Sequence, residues 1–71
     1  RDLIIYPNPV RNEVTIAITN ENAIQILDVH GRLVLKQVLQ AGQNTLSMSE
    51  FPSGTYILTL QNGDHYKIIK E

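Results

Sequence analysis

The chain has 71 residues, with six Lys and Arg against seven Asp and Glu, and it has no cysteine. This length allows a single domain with a small core, in which a deep catalytic cleft is hard to build. The nearly neutral charge gives no general attraction to nucleic acid or to an anionic membrane. The absence of cysteine excludes disulfides and cysteine-based zinc sites. No apolar run is long enough for membrane insertion as a helix.

The first predicted strand is 3–6, and the segment Pro7-Asn8-Pro9 ends it. Proline holds φ at about −65° and has no N–H to donate, so two prolines one residue apart stop a strand and discourage pairing along a sheet edge. We expect this segment to turn the chain from one sheet toward the other.

The remaining predicted strands share a period of two or a richness in β-branched residues, both typical of half-buried strands. In chain order they are 14–19, 24–29, 33–39, 44–48, 54–61 and 64–70. About seven short strands separated by turn residues indicate an all-β fold, a small immunoglobulin-like antiparallel β-sandwich.

Turn residues separate these strands. Asp28-Val29-His30-Gly31 predicts a turn in which the aspartate accepts backbone N–H groups and the glycine takes a positive φ. Asn62-Gly63 predicts a two-residue type I′ hairpin turn, which needs a positive φ at both residues. Residues 47–51 are expected to be a strand tail or a single turn, because Pro52 follows them.

No combination of residues indicates catalysis or a cofactor. His30 and His65 each lie beside a turn residue, and no cysteine or third histidine is present to complete a metal site with them. The serines lack the G-x-S-x-G surroundings of a nucleophile. Asp28 and Asp64 are isolated and do not form the closely spaced acidic loop that binds calcium. We therefore expect a protein that is not an enzyme and that has no metal and no cofactor.

Four motifs occur in order along the chain: "YPNPVRNEVTI", "IQILDVHGRLVL", "NTLSMSEFPSGTYILTL" and "HYKIIKE". The series resembles the type A C-terminal sorting domain of the type IX (Por) secretion system of Bacteroidetes, from about residue 3 to residue 71. The resemblance implies one sorting domain over 1–71 with a passenger domain N-terminal to it, and the opening Arg1-Asp2, without Met or a signal peptide, fits a domain taken from a longer protein.

The resemblance also implies a route and partners. The passenger and its sorting domain pass through the periplasm, the outer-membrane translocon recognises the folded domain, and a cell-surface sortase removes it, so that the passenger ends at the cell surface or outside the cell. The family motifs fall on these candidate recognition residues: Pro7, Asn8, Pro9, Asp28, Gly31, Arg32, Gly54, Tyr56, Lys67, Ile68, Ile69 and Lys70.

Two questions stay open at this point. The lysines of 67–70 either guard a sheet edge against aggregation or mark an edge to which the translocon adds a strand. The function itself has an alternative, an accessory β-sandwich such as a carbohydrate-binding or fibronectin-like adhesion module that remains on a secreted protein. Three Tyr, one Phe and no Trp offer few aromatic faces for sugar stacking, which favours the sorting interpretation.

Overall fold

Seven strands in two antiparallel sheets make up residues 3–71, the part of the chain that the computed structural model describes. The strands are β1 (Leu3–Tyr6), β2 (Glu13–Ile18), β3 (Asn22–Leu27), β4 (Leu33–Leu39), β5 (Gly42–Ser47), β6 (Gly54–Leu60) and β7 (His65–Lys70). One sheet has the order β1-β2-β5, and the other has the order β4-β3-β6-β7. The all-β sandwich prediction is confirmed, and the order is that of an immunoglobulin-like fold whose fourth strand pairs with the third instead of the fifth.

The core lies between the two sheets and is supplied by the alternation seen in the sequence. Val14 and Ile16 of β2 and Leu58 of β6 are fully buried, while the residues next to them in each strand face outward. Complete burial of an aliphatic side chain contributes about 1.5–3 kcal/mol, so a few such residues per strand hold a domain of this size together. The other buried apolar residues are Leu3, Val10, Ile18, Ile24, Ile26, Leu39, Leu46, Met48, Tyr56, Leu60 and Ile68.

The connection through Pro7-Asn8-Pro9 differs from the prediction. The prolines do not carry the chain from one sheet to the other, because β1 and β2 are neighbours in the same sheet, with Tyr6 opposite Thr15. The peptide bonds before Pro7 and Pro9 are both cis. The connecting loop nevertheless extends to the opposite sheet, where Asn8 contacts β7, before it returns.

The β6–β7 hairpin is confirmed, but its turn is not of type I′. Gly63 has a φ of 97°, whereas no residue other than glycine has a positive φ in the described part of the chain, so Asn62 does not fit that turn. The N–H of Gly63 donates to the carbonyl of Leu60 at 3.0 Å, and the Asn62 Oδ1 atom accepts the N–H of Asp64 at 2.8 Å. This is a three-residue loop with glycine in the left-handed position.

The segment that follows β5 forms a single turn, as predicted. The N–H of Phe51 donates to the carbonyl of Met48 at 3.0 Å, and the N–H of Met48 donates to the carbonyl of Asn12 at 2.6 Å. Met48 is thereby held in the core, where it is fully buried.

Strand β4 lies at the edge of its sheet and is the most exposed strand. Of its seven residues only Leu39 is buried. Its pairing with β3 shifts by one residue, since Ile26 is opposite Leu35 but Leu27 is opposite Leu33. Val34 is therefore the extra residue of a β-bulge, a feature that redirects side chains at sheet edges.

Candidate recognition surface

The proline motif packs against the last strand. The Asn8 Nδ2 atom donates to the carbonyl of Lys67 at 2.9 Å, and the Asn8 Oδ1 atom accepts the N–H of Ile69, also at 2.9 Å. One side-chain amide thus offers β7 a donor and an acceptor, as one residue of a neighbouring strand would. The sequence predicted the position of this turn, but it gave no signal of this contact across 61 residues.

Val10 continues the same contact with its backbone. It forms a parallel bridge to Lys70, donates its N–H to the carbonyl of Ile69 at 2.7 Å and accepts the N–H of Glu71 at 2.8 Å. Its side chain is fully buried in the core. An exposed ion pair, Arg11 Nε to Glu71 Oε1 at 3.0 Å, lies just beyond. Sequence reasoning did not single out Val10, whose only signal was an apolar residue between a proline and an arginine.

These contacts occupy the outer edge of β7 from the Lys67 carbonyl to the Glu71 N–H. A partner strand would have to displace Asn8 and Val10 to pair with this stretch. Edge addition at the closing motif, one of the two interpretations of its lysines, is therefore blocked in this conformation. Of the candidate recognition residues at 67–70, Ile68 is fully buried and belongs to the core, whereas the Lys67 side chain is exposed.

The Asp28 turn is held by its own carboxylate. Asp28 Oδ1 accepts the N–H groups of His30 and Arg32 at 2.9 and 3.0 Å, and Oδ2 accepts Arg32 Nε at 2.9 Å. Gly31 closes the turn with a φ of 81°, a conformation that costs glycine little and other residues more. The predicted turn is confirmed. Arg32 lies directly before β4, and its side chain is 77% exposed.

The same contacts set the acidity of this carboxyl. Burial of the carboxylate acts to raise the pKa of Asp28, but the backbone N–H groups of Arg32 and His30 and the Arg32 guanidinium outweigh that effect and lower the pKa below its ordinary value of 3.8. Asp28 is therefore ionised at neutral pH, as the turn requires.

The third motif anchors the start of β6. The Tyr56 hydroxyl donates to the carbonyl of Pro52 at 2.6 Å, and its ring, 5% exposed, lies 5.3 Å from that of Phe51. A tyrosine at this corner that bonds the backbone a few residues upstream is a feature of immunoglobulin-like sandwiches. Tyr56 therefore has a structural role at the start of β6.

All four motifs meet at one end of the sandwich. Gly54 pairs with Lys70 and Tyr56 pairs with Ile68, which joins the third motif to the fourth, while Asn8 joins the first motif to the fourth. The Asp28 turn and the start of β6 face each other across an open groove of about 220 Å³, which we call the motif groove. Its lining residues are Asp28, Val29, Arg32, Val34 and the segment 52–56.

The opposite end of the sandwich carries a larger polar cleft of about 430 Å³. It lies between the β2–β3 and β6–β7 turns. Its lining residues are Ile18, Thr19, Asn20, Asn22, Leu60, Asn62, Asp64 and Tyr66. No group of three or more His, Cys, Asp or Glu side chains able to hold a metal occurs in residues 3–71. Over the same residues, no helix has the length and hydropathy to span a bilayer.

Comparison with known proteins gives two matches of sequence. The family model described as "secretion system C-terminal sorting domain" matches residues 4–71. A funoran endo-beta-hydrolase from Wenyingzhuangia aestuarii is 36% identical over an alignment of 67 residues, and the match covers 89% of this chain but only 9% of that protein. No solved structure matches the chain.

Proposed function

The chain belongs to the family of secretion system C-terminal sorting domains, and from this membership we propose that it is the export address of a larger secreted protein, read by the outer-membrane translocon of the type IX system. The observation that carries the proposal is the extent of the family match, which includes nearly all of the chain and every strand residue of the sandwich except Leu3. The recognised unit is then the folded domain as a whole.

The arrangement of the motifs supports this function. They are separated by up to about 60 residues in sequence, yet they meet at one end of the sandwich, where their backbones are fixed by hydrogen bonds. A surface that is already ordered in the free domain loses little conformational entropy when a partner binds. Such a surface suits a module whose purpose is to be recognised.

The rest of the route belongs to the same proposal. A passenger domain lies N-terminal to the sorting domain, crosses the periplasm with it, and is released at the cell surface when a sortase cleaves between the two. The small share of the funoran hydrolase that aligns, 9% of its length, supports a module joined to a much longer protein. We propose no catalytic residue in this chain, because cleavage is the task of the sortase.

A secretion assay tests the proposal. The 71 residues are fused to the C-terminus of a reporter that carries its own signal peptide, and the fusion is expressed in a bacterium with a working type IX system and in a sibling strain that lacks the translocon. Reporter outside the first strain but retained in the periplasm of the second is the expected result. Equal retention of a folded fusion in both strains would reject the proposal, and the reporter without the 71 residues serves as the control.

One observation favours the alternative of an accessory sugar-binding module. The polar cleft combines amide side chains, a carboxylate and Tyr66, which is the kind of lining that binds carbohydrate hydroxyls. Tyr66 is half-buried, however, and Tyr56 is buried, so neither ring presents an open face for stacking. Glycan-array binding that depends on Tyr66 and Asp64, together with failed export of the fusion, would favour this alternative.

A further inference from the structure

The exposed apolar surface of the domain is concentrated around β4. Val29, Leu33, Val34 and Val38 are 39–68% exposed and fall within ten residues of sequence, from the Asp28 turn to the end of the strand. Exposed apolar groups gathered in one place on a small domain mark interaction sites, whereas single ones are common on any surface. Val34 also lines the motif groove, so this surface continues into the end of the sandwich where the motifs meet.

The backbone edge of β4 is open as well. Strand β4 has β3 as its sheet neighbour, and no hydrogen bond in residues 3–71 reaches its other side. The opposite edge of the same sheet, on β7, is filled by Asn8 and Val10. Proteins protect edge strands with charges, prolines, β-bulges or covering segments. Strand β4 has only the bulge at Val34 and one charged residue, Lys36, among exposed valines and leucine.

The charge of the sheet indicates what pairs with this edge. The four strands of the β4-β3-β6-β7 sheet contain Lys36, Lys67 and Lys70 and no aspartate or glutamate. Lys36 lies at the centre of β4, opposite Gln25, and makes no ion pair with the described residues. An extended segment with carboxylates among apolar residues therefore complements the edge.

A second copy of this chain does not fit. Two β4 strands that pair antiparallel about their common centre place Lys36 opposite the other Lys36, and like charges directly opposite each other are destabilising. The two sheets would also join into one continuous sheet whose strands contain lysines and no carboxylates.

We infer that the outer edge of β4 is the docking site for an extended, acidic and apolar segment of the translocon, which adds to the four-stranded sheet as a fifth strand. Main-chain hydrogen bonds to β4 give affinity, contacts with Val34 and Val38 give selectivity for apolar side chains, and a carboxylate pairs with Lys36. This inference rests on the proposed sorting function and assigns its recognition to β4 instead of the closing strand.

The export assay described above tests this site with matched variants of the fused domain. Val34→Gln with Val38→Gln removes the apolar contacts without adding charge, and Lys36→Glu opposes the carboxylate. Ile4→Gln with Tyr6→Gln is the control, because these residues are comparably exposed on β1 of the other sheet. The valine pair and Lys36→Glu should each lower the exported fraction roughly tenfold or more, while the β1 pair and Lys36→Arg should leave it unchanged.

Each result separates this inference from the sorting function. If the fusion with the parental domain and the fusion with the valine-pair variant are exported equally well, docking at β4 is overturned and the sorting function stays intact. Loss of export with Lys36→Glu alone would indicate attraction to an anionic membrane surface and would also overturn strand addition. Failure of the parental fusion would reject both proposals.

Two further measurements address folding and contact. Thermal unfolding of each variant domain shows whether it is folded. If the valine pair is unstable, the single changes Val34→Gln and Val38→Gln at these exposed positions replace it. A photo-crosslinking residue at position 38 should form an adduct with an acidic peptide of an outer-membrane translocon protein, and one at position 4 should not. Absence of the adduct at position 38 in a fusion that is exported would contradict the inference.

Discussion

The side-chain amide of Asn8 accepts the N–H of Ile69 at 2.9 Å across a separation of 61 residues, and it donates at the same time to the carbonyl two residues earlier. This contact binds the start of the domain to its last strand. It also fills the edge of β7 that would otherwise be open to a partner strand, and Val10 extends the filled stretch to Glu71.

Replacing Asn8 should therefore weaken the domain measurably. Asn8→Ala removes two hydrogen bonds at a sheet edge, and we expect the free energy of unfolding to fall by about 1–3 kcal/mol in urea denaturation. Hydrogen exchange at the Ile69 amide should become faster in the variant. Asn12→Ala, an exposed asparagine in the same loop, should have little effect on either measurement. Equal stability of the Asn8 variant and the parent would show that the contact contributes nothing.

The two prolines on either side of Asn8 are expected to fix the conformation of the loop and not to contact the translocon directly. Pro7→Ala with Pro9→Ala gives the unfolded chain more conformational freedom, which should reduce stability by about 1–2 kcal/mol. Binding of the folded variant to isolated translocon should change less than its melting temperature does. Unchanged melting with lost binding would instead identify the prolines as a recognition feature.

The closing motif should separate into a core residue and a surface residue. Ile68 is fully buried, so Ile68→Ala should lower the free energy of unfolding by about 2–5 kcal/mol, while the exposed Lys67→Ala should change it by less than about 0.5 kcal/mol. Urea titrations at low temperature give both values. If loss of export follows Ile68→Ala and not Lys67→Ala, the motif acts by holding the fold together, and the reverse order would assign it to docking.

Asp28 should make the stability depend on acid. Its pKa is lower in the folded domain than in the unfolded chain, so the ionised carboxylate contributes stability that is fully present above pH 3.8 and is lost as the pH falls through the lower folded pKa. The stability difference between the parent and Asp28→Asn should therefore be largest near neutral pH and shrink in acid. Titration of the Asp28 carboxyl by NMR should give a midpoint below 3.8, and a midpoint above it would contradict the described geometry.

Removal of the Tyr56 hydroxyl tests whether its hydrogen bond to Pro52 stabilises the start of β6. Tyr56→Phe keeps the ring in the core but removes the hydrogen bond to the Pro52 carbonyl, and we expect a loss of about 1–2 kcal/mol in the free energy of unfolding. Tyr6→Phe is the matched control, since the Tyr6 hydroxyl accepts a hydrogen bond from Gln43 at 3.1 Å on the exposed surface. A larger loss of stability for Tyr6→Phe than for Tyr56→Phe would show that the hydrogen bond from Tyr56 to Pro52 does not stabilise the start of β6.

Local rules account for what the sequence predicted correctly. Alternation over Val14–Ile18 places successive side chains on opposite faces of a strand, so strand and inward face follow together. Asp28 and Gly31 act within one turn and were read correctly for the same reason. The Asn62-Gly63 turn was predicted with the wrong type. The Asn62 side chain accepts the N–H of Asp64, two residues further along, and Asn62 keeps a negative φ.

By itself, the sequence determined the number of strands, the positions of the turns and the family, since each depends on neighbouring residues or on motifs in linear order. Apart from the β6–β7 hairpin, only the tertiary structure decided which strands pair. It alone decided that Asn8 and Val10 close the edge of β7 and that the edge of β4 stays open. These features join residues far apart in the chain, and their contacts depend on the packing of two sheets over one core, which no local pattern encodes.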